Sequence, residues 1–160
     1  MTLAMPDAAV HAADSVDETA VADALVLYDQ GRFVEAHRAF EPPAFAGIAS
    51  AQYHLGLLYA RGEGVTRDFA QAAQWFTRAA EQDHGHAQFI LGHMHAHGEG
   101  VPRDPVQAHV WFSAATANGW WKAREARERL VDESMTPQDV AQAGKRYREW
   151  RAGREGARQP

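Results

Sequence analysis

The sequence predicts an all-α fold: an α-solenoid of about three stacked helical hairpins, closed by a C-terminal capping helix. Three observations predict it. A 36-residue unit repeats in the middle of the chain. Apolar residues recur at helical spacing on both arms of that unit. Alanine supplies 32 of the 160 residues, whereas Leu, Ile, Val and Phe together supply 28. A core so rich in Ala and poor in β-branched residues suits closely packed helices and not a sheet. Five Trp and seven Phe provide the bulk that Ala lacks. A chain of this length buries roughly 70% of its unfolded surface, enough for one independent core.

Residues 1–17 carry no periodicity and are expected to be disordered. Val10-His-Ala-Ala13 resembles a small-residue cleavage site, but no Lys or Arg opens the segment and Pro6-Asp7 interrupts its apolar run. It does not read as an intact signal peptide, and the compartment stays open between cytoplasm and periplasm. One helical repeat domain is expected over 18–153. Its first part, 19–50, is a degenerate repeat. Ala24, Leu25 and Tyr28 make one helical stripe, Gly31 ends it, and Phe33, Ala36, Ala39 and Phe40 make another. Glu41-Pro42-Pro43 is expected to break the chain there.

The first full unit, 51–86, overlays the second, 87–122, without a gap. Identity at 16 of 36 positions is beyond chance. In each unit the first helix carries a stripe, as at Ala51, Leu55 and Tyr59, and stops at Gly62 or Gly98, the place for a left-handed residue. Asp68 and Asp104 are N-caps for the second helix, and Pro105 suits its first turn. Ala72, Trp75, Phe76 and Ala79 stripe that helix, as do Ala108, Trp111, Phe112 and Ala115. Gly56 and Gly92 sit mid-helix at a cost of ~1 kcal/mol each, which points to a tight helix crossing. Residues 123–153 form the cap. Arg127, Glu128 and Val131 replace the expected Leu, Gly and ring, so Lys122–Val131 reads as a charged helix with a wetted face. Thr136, Pro137 and Asp139 start a last helix with the stripe Val140, Ala143, Gly144, Tyr147 and Trp150. Residues 154–160 are expected to be a disordered tail.

Ala51-Gln-Tyr-His-Leu-Gly-Leu-Leu-Tyr-Ala-Arg-Gly-Glu-Gly-Val-Thr-Arg-Asp68 and Ala87-Gln-Phe-Ile-Leu-Gly-His-Met-His-Ala-His-Gly-Glu-Gly-Val-Pro-Arg-Asp104, each followed by Ala, Trp-Phe and Ala, resemble Sel-1-like repeats, and the ending from Met135 to Trp150 is similar to the closing helix of many bacterial members. These are relatives of tetratricopeptide repeats with a longer loop between helices. The resemblance implies a right-handed superhelix of helix-turn-helix repeats with adaptor or scaffold roles in protein–protein interaction. It implies no shared chemistry. The chain departs from the pattern at His95, where Tyr is preferred, at Trp120-Trp121, and in the broken third unit.

Several function classes are excluded or weakened by composition. There is no Cys, so disulfides, thiolate metal sites and Cys nucleophiles are excluded. No run of 18 apolar residues exists for a membrane span. The net charge of −5 argues against a general nucleic-acid binder. The first 121 residues hold 6 basic and 14 acidic side chains, and the rest 10 and 7, which reads as a solubilising cap. Gly62-Glu-Gly64 and Gly98-Glu-Gly100 follow no strand and precede no Lys-Ser/Thr, so they are turns and not phosphate loops. No Ser lies in a nucleophile elbow, and no catalytic residue is assigned.

Nine His are present, five of them between 84 and 97. His93 and His97 have the i,i+4 spacing of a chelating pair, but residue 94 is Met where a metalloprotease has Glu. A third ligand would have to come from elsewhere, such as His54. The expected arrangement has His95 facing the core and His93 and His97 lining a surface; no metal and no cofactor are assigned. The favoured function is therefore non-catalytic binding of a protein or peptide. Leu55 and Leu91 face the hairpin partner, so residues about 200° away line the far side. Those are Tyr53, Leu57 and Arg61 in one unit and Phe89, His93 and His97 in the next. Side by side they make a groove wall suited to a peptide with apolar anchors and an acidic residue. The alternatives are a metal- or small-molecule-binding role for the His84–His97 cluster, and self-association.

Overall fold

The chain is described by a computed structural model over residues 8–157, with side chains from 18 to 156. Its helices are α1 (Ala8–Asp29), α2 (Phe33–Phe45), α3 (Ala49–Arg61), α4 (Phe69–Ala80), α5 (Gly85–His97), α6 (Pro105–Ala117), α7 (Trp121–Ser134) and α8 (Pro137–Ala157). No strand occurs among the described residues, and no helix there is long and apolar enough to cross a membrane. The helices α1/α2, α3/α4 and α5/α6 pair as hairpins, and each hairpin packs on the next through α2/α3, α4/α5 and α6/α7. The result is the predicted α-solenoid.

The repeated residues build repeated joints. Gly62 and Gly98 hold φ of 70° and 75° and end α3 and α5. Asp68 and Asp104 accept the amides of Gln71 and Gln107 and cap α4 and α6. Their own amides donate to the Tyr59 and His95 carbonyls at 2.9 Å, closing the loop back onto the first helix. A Cβ on Gly56 would stand 2.6 Å from the Phe76 ring, and one on Gly92 would stand 2.4 Å from the Phe112 ring. The tight crossing thus seats a fully buried Phe on a bare helix backbone, a burial worth roughly 2–3 kcal/mol.

Successive hairpins are joined by two further repeated contacts. Gly64 lies against the backbone of Phe33, and Gly100 against that of Phe69, so each interhelical loop rests on the first turn of the preceding second helix. Buried Gln52 and Gln88 donate to the carbonyls of Ala44 and Ala80 at the end of that preceding helix. They also accept from Gln82 and Asn118 in the turn that follows their own hairpin. A buried amide is tolerated here because donor and acceptor sides are both engaged.

Four expectations change. Pro42 and Pro43 do not break the chain: α2 runs through them to Phe45. Their missing amides cost two hydrogen bonds, but their carbonyls accept Ala46 and Ile48, and Pro43 and Ala44 are buried. The first full unit begins at Ala49, two residues early. Residues 8–17, expected to be disordered, are the start of α1; residues 1–7 of that segment lie outside the described residues. Residues 154–157, expected in a tail, belong to α8, and residues 158–160 lie outside.

The capping helix docks on the second-helix side of the molecule. Ala143 is buried against Val106 and Val110, and Trp150 meets Trp111 edge-on at 5.6 Å. Arg146 pairs with Asp104 at 3.4 Å at one end. Arg154 pairs with Asp83 at 2.8 Å at the other and also donates to the Glu81 carbonyl. The helix α8 is therefore a strap along α6, leaving the first-helix side uncovered.

Candidate functional site

Positions 53, 57 and 61 on α3 recur at 89, 93 and 97 on α5. One further step of 36 reaches Glu125, Arg129 and Glu133 on α7. The three sets occupy equivalent places on successive first helices but are not equally open. Tyr53 is half-buried, stacked on His84 at 4.6 Å and touching His54 and His86. Phe89 is likewise half-buried, between Trp120 at 6.0 Å and Phe112 at 5.9 Å. Both fill junctions with the start of the next first helix. Leu57 is half-buried against the core. Arg61 is exposed but held toward α1, donating to the Tyr28 hydroxyl at 2.6 Å and pairing with Glu63 at 3.7 Å.

His93 and His97 open into a cleft of about 540 Å³ between α5 and α7. Its apolar lining is Ala96, Phe112, Ala126 and Leu130, and its charged lining is Arg103, Arg129 and Glu133. The two imidazoles stack with centroids 5.9 Å apart, and His97 Nδ1 lies 2.9 Å from the His93 carbonyl. Burial lowers the His93 pKa, and nearby His97 and Arg129 lower it further against the pull of Glu99. Arg103 is oriented by an Nε bond to the Ala96 carbonyl, and Arg129 by an Nη2 ion pair with Glu125 at 3.0 Å.

The remaining histidines do not converge with this pair. His54 stacks on Phe40 at 5.0 Å, near Tyr28, at the α1 end. His84 caps α5, its Nδ1 accepting the Ala87 amide, and burial followed by His86 and His54 lowers its pKa to about 4. His86 meets Trp120 edge-on at 3.9 Å. His95 takes the place of Tyr59, with Nδ1 buried and unbonded and its pKa lowered chiefly by burial. Among the described residues no three His, Asp or Glu side chains gather as a metal needs. The His84–His97 cluster is thus two separate ring pairs, and His54 is no third ligand. Trp120 seals the α5/α7 junction, whereas Trp121 is 68% exposed.

Sequence reasoning missed Arg103, Arg129, Leu130 and Glu133. The signal for Arg129 and Glu133 was available: carrying His93 and His97 forward by one repeat lands on them. The broken third unit hides it, because the charged residues of α7 have the pattern of a wetted cap and not of a groove wall.

The Sel1 repeat pattern matches residues 49–84 and 85–120. Among solved structures, the chain is similar to a protective antigen of uropathogenic Escherichia coli displaying an SLR fold. The identity is 28% and the TM-score 0.77, over 84% of this chain and 29% of that one. It is also similar to a Sel1 repeat protein from Oxalobacter formigenes, at 27% identity and TM-score 0.69, over 73% of this chain and 50% of that one. Helicobacter pylori cysteine rich protein B shares the fold, at 24% identity and TM-score 0.56, over 57% of this chain and 69% of that one. The chain thus spans half or less of the length of the first two. No curated protein matches the chain.

Proposed function

Residues 49–120 are two Sel1 repeats, a unit that generally mediates protein binding, and from that premise we propose that this chain is a non-catalytic adaptor holding a protein or peptide on its first-helix side. The observation that carries the reading is the cleft beside His93 and His97. There a mixed polar and apolar surface stays open between two first helices, while α6 on the other side is strapped by α8. Open apolar surface bordered by polar groups marks interaction sites on helical scaffolds. The α5 wall of this face is tied to α4 by buried Gln88, so it is held in place before binding, which limits the entropy lost there. Of the six residues expected to line the groove, exposed His97 and part-buried His93 border the cleft; Tyr53, Leu57 and Phe89 are part-buried behind it, and exposed Arg61 is turned toward α1.

The test is capture from an extract of the source cell with the full chain as bait, read by mass spectrometry. His93→Ala combined with His97→Ala is expected to reduce recovery of the wild-type partner at least about tenfold, in line with loss of a central contact. The melting curve should stay within a few degrees of wild type. A folded double variant that recovers the partner in full would move the site off this face.

A further inference from the structure

Resting on the first-helix binding face, we propose that the α5/α7 cleft takes a partner segment in which an apolar side chain sits beside a carboxylate side chain. The floor supplies the apolar half. Ala96 and Ala126 are small and part-exposed, so they leave depth and apolar surface between α5 and α7, and buried Phe112 and Leu130 back its base. The cleft, about 540 Å³, is open to solvent along one side, which suits a side chain of a partner segment.

The rim supplies the charged half. Arg103 precedes α6 and Arg129 lies on α7, so two guanidiniums reach the cleft from different elements. Each is steered by a bond to its own surroundings, Arg103 to the Ala96 carbonyl and Ser134, Arg129 to Glu125. A guanidinium has five N–H donors in a planar fork, so donors remain beyond those bonds for a carboxylate. Glu133 is the acidic residue of the lining, and Glu99 acts on His93 from the loop. Together with Glu125, which is ion-paired to Arg129, these carboxylates disfavour a dianionic phosphate more than a monoanion. The chain carries −5 overall, which opposes a long polyanion, while Arg103 and Arg129 act locally on a single carboxylate.

The cleft also sets a sign for pH. His93 faces His97 on its own helix, Arg129 and Glu133 on α7, Arg103 ahead of α6, and Glu99 in the loop. An anion beside it favours the protonated imidazole, so the complex takes up protons and tightens as pH falls.

Fluorescence polarisation of the full chain with labelled peptides tests this. The probes share a Gly/Ser background and carry, at their centre, Leu-Glu, Leu-Gln, Leu-Lys, Ala-Glu or Leu-phosphoserine. Leu-Glu is expected to bind best. Exchange of Glu for Gln should weaken binding about fivefold or more, and exchange for Lys should weaken it further. Affinity should fall as salt rises and increase severalfold from about pH 7.5 to about 5.5. Arg129→Gln and Arg103→Gln should each bring Leu-Glu toward the Leu-Gln value with the melting curve unchanged. Equal binding of Leu-Glu and Leu-Gln, tighter binding of Leu-phosphoserine, or no binding of any probe would overturn the proposal. If no probe binds while the His93/His97 double variant still loses the captured partner, the face is right and its assigned chemistry wrong. If Leu-Glu binds as described while that variant keeps the partner, the cleft chemistry stands and the adaptor face lies elsewhere.

Discussion

His84 works only in its neutral form. Its Nδ1 accepts the Ala87 amide at the start of α5, and its ring stacks on Tyr53. Its folded pKa is pushed down to about 4, whereas an unfolded His titrates near 6.5. The unfolded chain therefore takes up a proton before the folded chain does. The stability His84 contributes is complete above about pH 6.5 and is lost as pH falls toward 4. His54, His93, His95 and His109 are shifted in the same direction, each chiefly by burial. Full linkage for His84 would approach ~3 kcal/mol; partial exposure of the ring reduces it to about 1 kcal/mol. The melting temperature is expected to be lower at pH 5 than at pH 7 by several degrees. His84→Asn, which keeps a side-chain cap acceptor, should flatten part of that slope. Identical slopes for both proteins would contradict this role.

At the same scale, some residues were legible and others were not. Gly62, Gly98, Asp68 and Asp104 announce their jobs because turn and cap chemistry is local. Gln52 and Gln88 match in the overlay, yet nothing local says that a Gln is buried and bonded 8 and 30 residues away. Asp83 is subtler. The turns between hairpins use Gly47 at φ 100° and Gly119 at φ 83°, and Asp83 holds φ 65° at the same repeat position. An L-residue there costs roughly 1–2 kcal/mol. It is also the turn that Arg154 reaches, a contact the repeat itself does not predict.

At the scale of elements, the two full hairpins were legible because each helix carries a start, a stripe and a stop. The fate of Pro42 and Pro43 was not. A helix tolerates prolines in its last turns when tertiary burial outweighs two lost hydrogen bonds, and sequence alone does not state that burial. The apolar stripe of α8 was legible, but its landing place on α6, and not beside α7, follows from three-dimensional neighbours. Tyr147 and Trp150, both part-buried, pack against the core around Trp111, each contributing on the order of 1–2 kcal/mol. The part-exposed Arg154–Asp83 and Arg146–Asp104 pairs add less than about 1 kcal/mol each. Deleting 136–160 should lower the melting temperature by several degrees, and Trp150→Ala should reproduce a large share of that loss. An unchanged transition in the truncated chain would show that α8 is not docked.

At the scale of the whole molecule, the two sides have different tasks. Alternating hairpins put α3, α5 and α7 on one side and α4 and α6 on the other, and α8 covers α6 and reaches the end of α4 through Arg154. Periodicity identified the first-helix side as the candidate face. It did not reveal that Tyr53 and Phe89 would be filled in by His84 and Trp120, because a stripe specifies direction and not what the next repeat places there. It also did not reveal that the open part would move toward α7. The most direct measurement of this division is hydrogen–deuterium exchange of the full chain, free and bound to its captured partner. Binding on the first-helix side predicts new protection in the last turn of α5 and in α7 over 126–134, with exchange in α8 unchanged. Protection confined to α8 and the outward side of α6, with none in α5 or α7, would contradict it.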